Sequence, residues 1–317
     1  MAEDASQLIP APSDPICDIL GLGMSMMDTI QRIEEFPVTT GVTEVSESAL
    51  MGGGPVPTAL CSAARLGASA AILDRVGDDW RGELIQRDYE KFGVDTRFLE
   101  LQAGRTSSLG IVLVRERDGE RHIVFQRGNF DELVPEELPM ELLKQCRFLH
   151  LNGRHWPAAL KAAELVKEAG GVTSFDGGAH RYEEKFEPLL EKIDLLIVAR
   201  EFACRLAKSE DHEEQLKQLL RRGGEIVGIT DGVRGSWFQT REGEVFHQPA
   251  FCVPHVVDTT GCGDVFHGAF LFSRSRGDSW SSCARFASAA AAINATGLGG
   301  RGHLATCEEV EAFLRSA

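Results

Sequence analysis

After residue 130 the sequence settles into an alternation of two patterns. Short apolar runs, Phe148 to Leu151, Val172 to Phe175, Leu195 to Val198 and Glu225 to Thr230, are separated by stretches of helical period such as 135–145, 157–169 and 212–222. The earlier part of the chain begins the same way. A run from Ile16 to Gly23 is followed by a helix that ends at Gly67, a run from Ala70 to Val76, a helix at 80–91 and a strand from Thr96 to Leu101. Apolar strands joined through helices specify an α/β fold, with a central, mostly parallel sheet flanked by helices on both faces. The chain closes with a hairpin at 236–247 and three helices, at 263–275, 279–295 and 307–315.

Two stretches interrupt this order. Residues 30–51 carry β-branched Val38, Thr39, Thr40, Val42, Thr43 and Val45 and read as extended structure. Ser107 to Arg115 and His122 to Gln126 read as a hairpin across Asp118-Gly119, a strong turn signal. Two β-rich insertions without helices predict a small separate sheet, a lid built from segments 34–52 and 106–127. Residues 1–15 read as a loose tail without a signal-peptide core, and 16–317 as one domain.

Composition narrows the partners. The formal charge is −15 and no basic run reaches five residues, which disfavours nucleic acid and anionic membranes. Backbone amides and a few local cations still suffice to hold a phosphate. Eight cysteines without a Cys-x-x-Cys pair read as reduced thiols of a cytoplasmic protein. No apolar run is long enough to span a bilayer.

The densest chemistry lies in Asp258-Thr259-Thr260-Gly261-Cys262-Gly263-Asp264, a glycine turn running into a helix on which Val265, Phe266, Ala269 and Phe270 recur at helical spacing. Gly261 and Gly263 let the backbone approach a ligand, and the N–H groups with the helix dipole favour an anion there. Asp264 in the first turn then fits proton transfer beside a phosphate, the layout of a kinase acting on a hydroxyl. The same residues also fit a plain turn with a dipole-offsetting aspartate. Cys262 reads as a small filler of the turn, since no histidine is placed by sequence to activate it. A second glycine turn, Gly52-Gly53-Gly54, enters a helix with Pro57 near its start. Asp28 follows the first strand, where open α/β sheets bind ligands, although a surface aspartate is equally compatible with that position.

Other motifs fail in context. Gly297-Leu298-Gly299-Gly300-Arg301-Gly302 matches G-x-G-x-x-G but follows a helix and not a strand. No P-loop occurs, and His150, His155, His180 and His267 show no metal-ligand spacing.

Together these features resemble the ribokinase-like (PfkB) carbohydrate kinase family over about residues 16–315. The turn from Asp258 to Asp264 and the Gly53-Gly54 helix entry carry the likeness. The resemblance implies a ribokinase-like fold with a lid that closes on the sugar and often dimerises, here a possible homodimer. It implies Asp264 as the base, with Gly261, Cys262 and Gly263 as the anion hole. It implies Asp28, Gly53 and Gly54 at the sugar. It places Thr230, Gly232 and Gly235 in the nucleotide loop and Ser288 on the adenine-side helix. Asp258 matches a region where some members hold a monovalent cation such as K+. The expected cofactors are ATP and Mg2+.

The chain also departs from the family. Thr58 stands where asparagine is frequent, Ala199-Arg200-Glu201-Phe202 replaces the Asn-x-x-Glu of the magnesium network, and Asn152 stands where ribokinases carry glutamate. Arg154, close by, suits an anionic substrate group and equally an ordinary loop position. The resulting expectation is ATP-dependent phosphorylation of a small sugar or sugar derivative. The alternatives are a nucleoside kinase on the same fold and a non-catalytic interaction protein derived from one.

Overall fold

The structure is a computed structural model that describes residues 16–179 and 181–317; the N-terminal segment 1–15 and His180 lie outside the described residues. Nine strands form the large sheet. Their order is Val245–Gln248, Ser236–Thr240, Ile226–Thr230, Leu195–Ala199, Val172–Gly177, Cys146–Leu151, Cys17–Leu22, Ala70–Gly77 and Asp95–Gln102. All neighbours are parallel except the Ile226–Thr230, Ser236–Thr240 and Val245–Gln248 meander, which is antiparallel.

The period of two in the strands divides the core into two layers. Ile19, Ile72, Phe148 and Ile197 point to one face, where they meet Val56, Leu60, Phe266 and Phe270 from helices Pro55–Leu66 and Cys262–Ser275. Leu20, Leu22, Leu149, Leu151, Leu196 and Val198 point to the other, against Ala158, Ala162 and Phe202. Both faces are covered, and the polar side chains these strands do carry, such as Asp74, His150, Ser174 and Asp176, are buried.

Cys17–Leu22 lies between Cys146–Leu151 and Ala70–Gly77. The chain leaves it toward one side and later returns on the other. A crevice therefore opens beyond the carboxyl ends of these strands, the usual ligand position in open α/β sheets.

A second sheet has four strands in the order Glu47–Gly53, Met26–Ile33, Ser108–Arg115 and Arg121–Gln126. The extended reading of 30–51 is corrected here. The strands are Met26–Ile33 and Glu47–Gly53, and 34–46 has no regular structure. Pro37 and Gly41 interrupt pairing there, and Val38 and Val42 are fully exposed; the ends of the segment still touch the sheet, Glu35 through Arg115 and Arg117 and the Ser46 N–H through the Arg32 carbonyl. The helix expected at 135–145 is also shorter, a 3-10 turn at Pro135–Glu137 and a helix at Met140–Lys144. Pro139 separates them. Among the described residues no helix is long and apolar enough to cross a membrane.

Candidate active site

The helix Cys262–Ser275 starts at Gly261, whose φ of 73° is left-handed. A Cβ there would lie 2.4 Å from the Gly300 carbonyl oxygen, so only glycine fits. The turn is braced from behind. Asp258 is fully buried, and its two oxygens accept N–H bonds from Thr260 at 2.7 Å and Gly299 at 2.8 Å. Asn294 donates to the carbonyls of Thr260 and Gly300. The glycine-rich segment 297–302 therefore serves as the seat of the turn at 258–264. The Cys262 N–H reaches the Thr259 carbonyl at 3.4 Å, which leaves Gly263 and Asp264 as the freer amides of the first turn. A Cβ on Gly263 would meet no atom within 4 Å, so this position faces open space.

Asp264 is half-buried as a residue, but its carboxyl is enclosed. That enclosure, and next the charge of Asp176, push its pKa up to about 7, against the opposing pull of Arg181, Arg121 and Arg301. One turn further on, His267 Nε2 lies 3.4 Å from Asp176 Oδ1, and the His267 ring lies 5.3 Å from that of His150. Burial lowers the pKa of both histidines, so they are neutral packing partners beneath the site. Burial pushes the Cys262 thiol up to about 12, which suits a filler and not a nucleophile.

Asp28 sits on the small sheet, in register with Met51 and Gly110. A Cβ on Gly53 or Gly110 would come within 1.9 or 2.1 Å of its oxygens, so two glycines make room for this carboxylate. Oδ1 is buried without a partner, and burial raises the pKa to about 6 while Arg301 opposes. Gly54 (φ 99°) caps the helix Pro55–Leu66, and the Thr58 N–H returns to its carbonyl.

Arg301, which sequence reasoning passed over inside the rejected glycine motif, ties these parts together. It pairs with Asp88, donates to Thr58 Oγ1 at 3.3 Å and to the Gly53 carbonyl at 3.5 Å, and influences both Asp28 and Asp264. The glycine density around it was the one available signal that side chains and backbone crowd together there. Asp176, Arg121 and Arg181 were also missed, since each lies far from the motifs in sequence.

At the crevice, Asn152 is buried and its Oδ1 accepts the Arg154 N–H at 3.3 Å. Thr230, Gly232 and Gly235 lie together on the far side of the sheet. Gly235 has a φ of 90° and packs on the backbone at Gln248 to Ala250, and Ser288 Oγ reaches the Pro249 carbonyl at 3.5 Å. The loop 230–235 and Ser288 thus share one wall. Asp231 in this loop is gripped by Arg234 through two 2.7 Å bonds. Arg200 pairs with Glu210, and Glu201 is exposed. No set of three metal-ligating side chains occurs among the described residues.

An enclosed carboxylate with a pKa near neutrality beside unpaired helix N–H groups, at the switch point of a doubly covered sheet, defines a phosphotransferase layout. The comparisons name the family. The model for "pfkB family carbohydrate kinase" matches residues 18–307, and the chain belongs to that family. It is 28% identical over 297 residues to the ATP-dependent ribose-1-phosphate kinase of Halopiger xanaduensis, covering 93% of this chain and 97% of that one. It is 30% identical over 316 residues to Fructokinase-1 of Oryza sativa subsp. japonica, covering 90% and 95%. A solved structure of a putative ribokinase from Agrobacterium tumefaciens superposes with a TM-score of 0.88 at 27% identity, covering 94% and 97%. The chain is an ATP-dependent sugar kinase of this family.

Proposed function

We propose that the protein transfers the γ-phosphoryl group of ATP to a hydroxyl of a small sugar or sugar derivative. In this reading Asp264 takes the hydroxyl proton while the amides of Gly263 and Asp264 stabilise charge on the transferring group. What supports it is the closeness of the two glycine turns: the Gly53 carbonyl, beside Asp28, accepts from Arg301, and the adjoining Gly300 packs on Gly261 at the head of the helix that bears Asp264. Thr230, Gly232, Gly235 and Ser288 form the nucleotide wall. The residues at 199–202 do not form a magnesium site, so the metal enters as the magnesium complex of the nucleotide, held by phosphates and water. ADP release measured across ketoses, aldoses, sugar acids, sugar phosphates and nucleosides tests the reading. Release with a sugar acceptor supports it, and release with none of them refutes it.

Asp28→Ala is expected to weaken sugar binding by about 1.5–3 kcal/mol, the worth of a hydrogen bond to a charged group. The effect should appear in KM for the sugar more than in KM for ATP. Unchanged kcat and KM on the true substrate would remove Asp28 from the site. The small sheet acts in this reading as the lid, and also as a dimer surface. Leu50, Ile111 and Val124 are exposed and in register across its outer face, an apolar row that a second copy would cover. Sedimentation at micromolar protein should show a dimer, and a monomer would sink this part.

A further inference from the structure

We propose that the acceptor sugar carries a tetrahedral oxyanion group, a phosphate or sulfonate, away from the hydroxyl that reacts, and that Arg154 holds it with Arg127. This inference rests on the kinase reading and narrows its substrate class. At the crevice lies a cavity of about 110 Å³ lined by Met24, Phe130, Arg127, Glu132, Arg154 and His155, among others. It opens beyond the ends of Cys17–Leu22 and Cys146–Leu151, the position at which such sheets bind ligands.

The cavity is cationic although the chain as a whole is strongly anionic. Among the described residues the Arg154 guanidinium has no hydrogen bond and no carboxylate in ion-pair contact; only its backbone N–H is bonded, to Asn152. Glu132, the nearest acidic group of the lining, is 3.8 Å from Arg127. Arg154 is partly buried, and burial followed by repulsion from Arg127 and Arg181 lowers its pKa, against weaker help from Glu132 and Glu183. A partly buried guanidinium without a partner, beside a second one in the same lining, is a cost to the folded chain. A bound oxyanion removes that cost, because arginine forks match tetrahedral oxyanions at two oxygens each.

Arg154 is also held in place. Its turn has Gly153 at φ 79° and His155 at φ 55°. His155 Nδ1 accepts the Leu133 N–H at 3.1 Å, and Nε2 donates to Asp74 at 2.6 Å. Asp74 in turn accepts the Ser25 N–H at 2.5 Å, which fixes the neighbouring lining residue Met24. An ordinary surface arginine would have its head in water on a mobile loop; this one is aimed by a buried histidine. Met24 of the lining sets its carbonyl against Gly54, next to the Gly53 that packs on Asp28, so the cavity borders the Asp28 end of the crevice.

The experiment compares matched acceptors: fructose and ribose, their monophosphate esters, a sulfonate analogue and the corresponding sugar acids. ADP release gives kcat/KM, and calorimetry without ATP gives binding of the same sugars. Phosphate or sulfonate acceptors should exceed their neutral parents, and the phosphate and sulfonate arms distinguish the two groups. Arg154→Gln should reduce that preference about 10- to 100-fold, the range for losing a charge-assisted hydrogen bond. Neutral sugars or carboxylates preferred over both oxyanions, or an unchanged preference in Arg154→Gln, overturns the proposal. Binding of a sugar phosphate that depends on Arg154, with no ADP released for any acceptor, sustains the cavity and refutes the kinase reading. If Arg154→Gln melts early, Arg154→Lys and Arg127→Gln carry the same comparison.

Discussion

Asp264→Asn is expected to lower phosphoryl transfer by roughly 10²–10⁴-fold, the usual contribution of a positioned acid–base group. The amide keeps the shape of the turn, which Gly261 and Asp258 set through the backbone, so nucleotide binding should survive. The wild-type pH profile should identify the same group. A base works ionised, and the Asp264 pKa is raised to about 7, so kcat/KM should climb as pH rises through neutrality and level above it. The residual activity of the variant should lack that limb. Stability should move in the opposite sense. A carboxyl held above its ordinary 3.8 binds its proton more tightly in the folded state. The stability it contributes is complete below about pH 4 and is lost as pH rises through the folded value. The variant should therefore gain in Tm relative to wild type at pH 8 compared with pH 4. A plain dipole-offsetting aspartate would give full turnover and a loss of about 0.3–1 kcal/mol, and that pattern would sink the assignment.

Arg301→Met should have the largest effect on stability. Its side chain is 2% exposed and its partner Asp88 12% exposed. Removing one member of a buried pair leaves an uncompensated charge and costs about 3–5 kcal/mol. The same change frees Thr58 and the Gly53 carbonyl, and it withdraws the cation that steadies Asp28. Urea unfolding measures the loss, and Arg301→Met with Asp88→Leu should recover part of it because no lone charge is then left. A loss below about 1 kcal/mol would show that water reaches the pair and screens it.

The large sheet was legible because its strands are apolar on both faces and its helices keep their period; burial alone writes that pattern. The small sheet was legible only in part. Met26–Ile33 mixes Asp28, Thr29, Gln31 and Arg32 with apolar residues, because one face meets a hydrophilic crevice, and the strand was not seen. The turn at 258–264 announced itself through spacing. Arg301 did not, because its partners Asp88, Thr58 and Gly53 lie more than two hundred residues away and only tertiary folding unites them. Arg127 and Arg154 were separate charges in the sequence; their meeting in one cavity is a tertiary event that no local pattern encodes.

The small sheet does more than carry Asp28. The tip of its Ser108–Arg115 to Arg121–Gln126 hairpin meets the turn that leads to Asp264. Thr259 donates from N–H and hydroxyl to the Gly119 carbonyl at 3.4 and 3.2 Å, and Arg121 donates to the Thr259 hydroxyl at 3.3 Å. One rigid sheet therefore has a hand on each half of the crevice. In the proposed reading, a sugar that shifts the sheet through Asp28 would also shift phosphate occupancy at the turn, and thermodynamic reciprocity would require the same factor in return. The hairpin would then link two binding events in one equilibrium, with Thr259 as the joint.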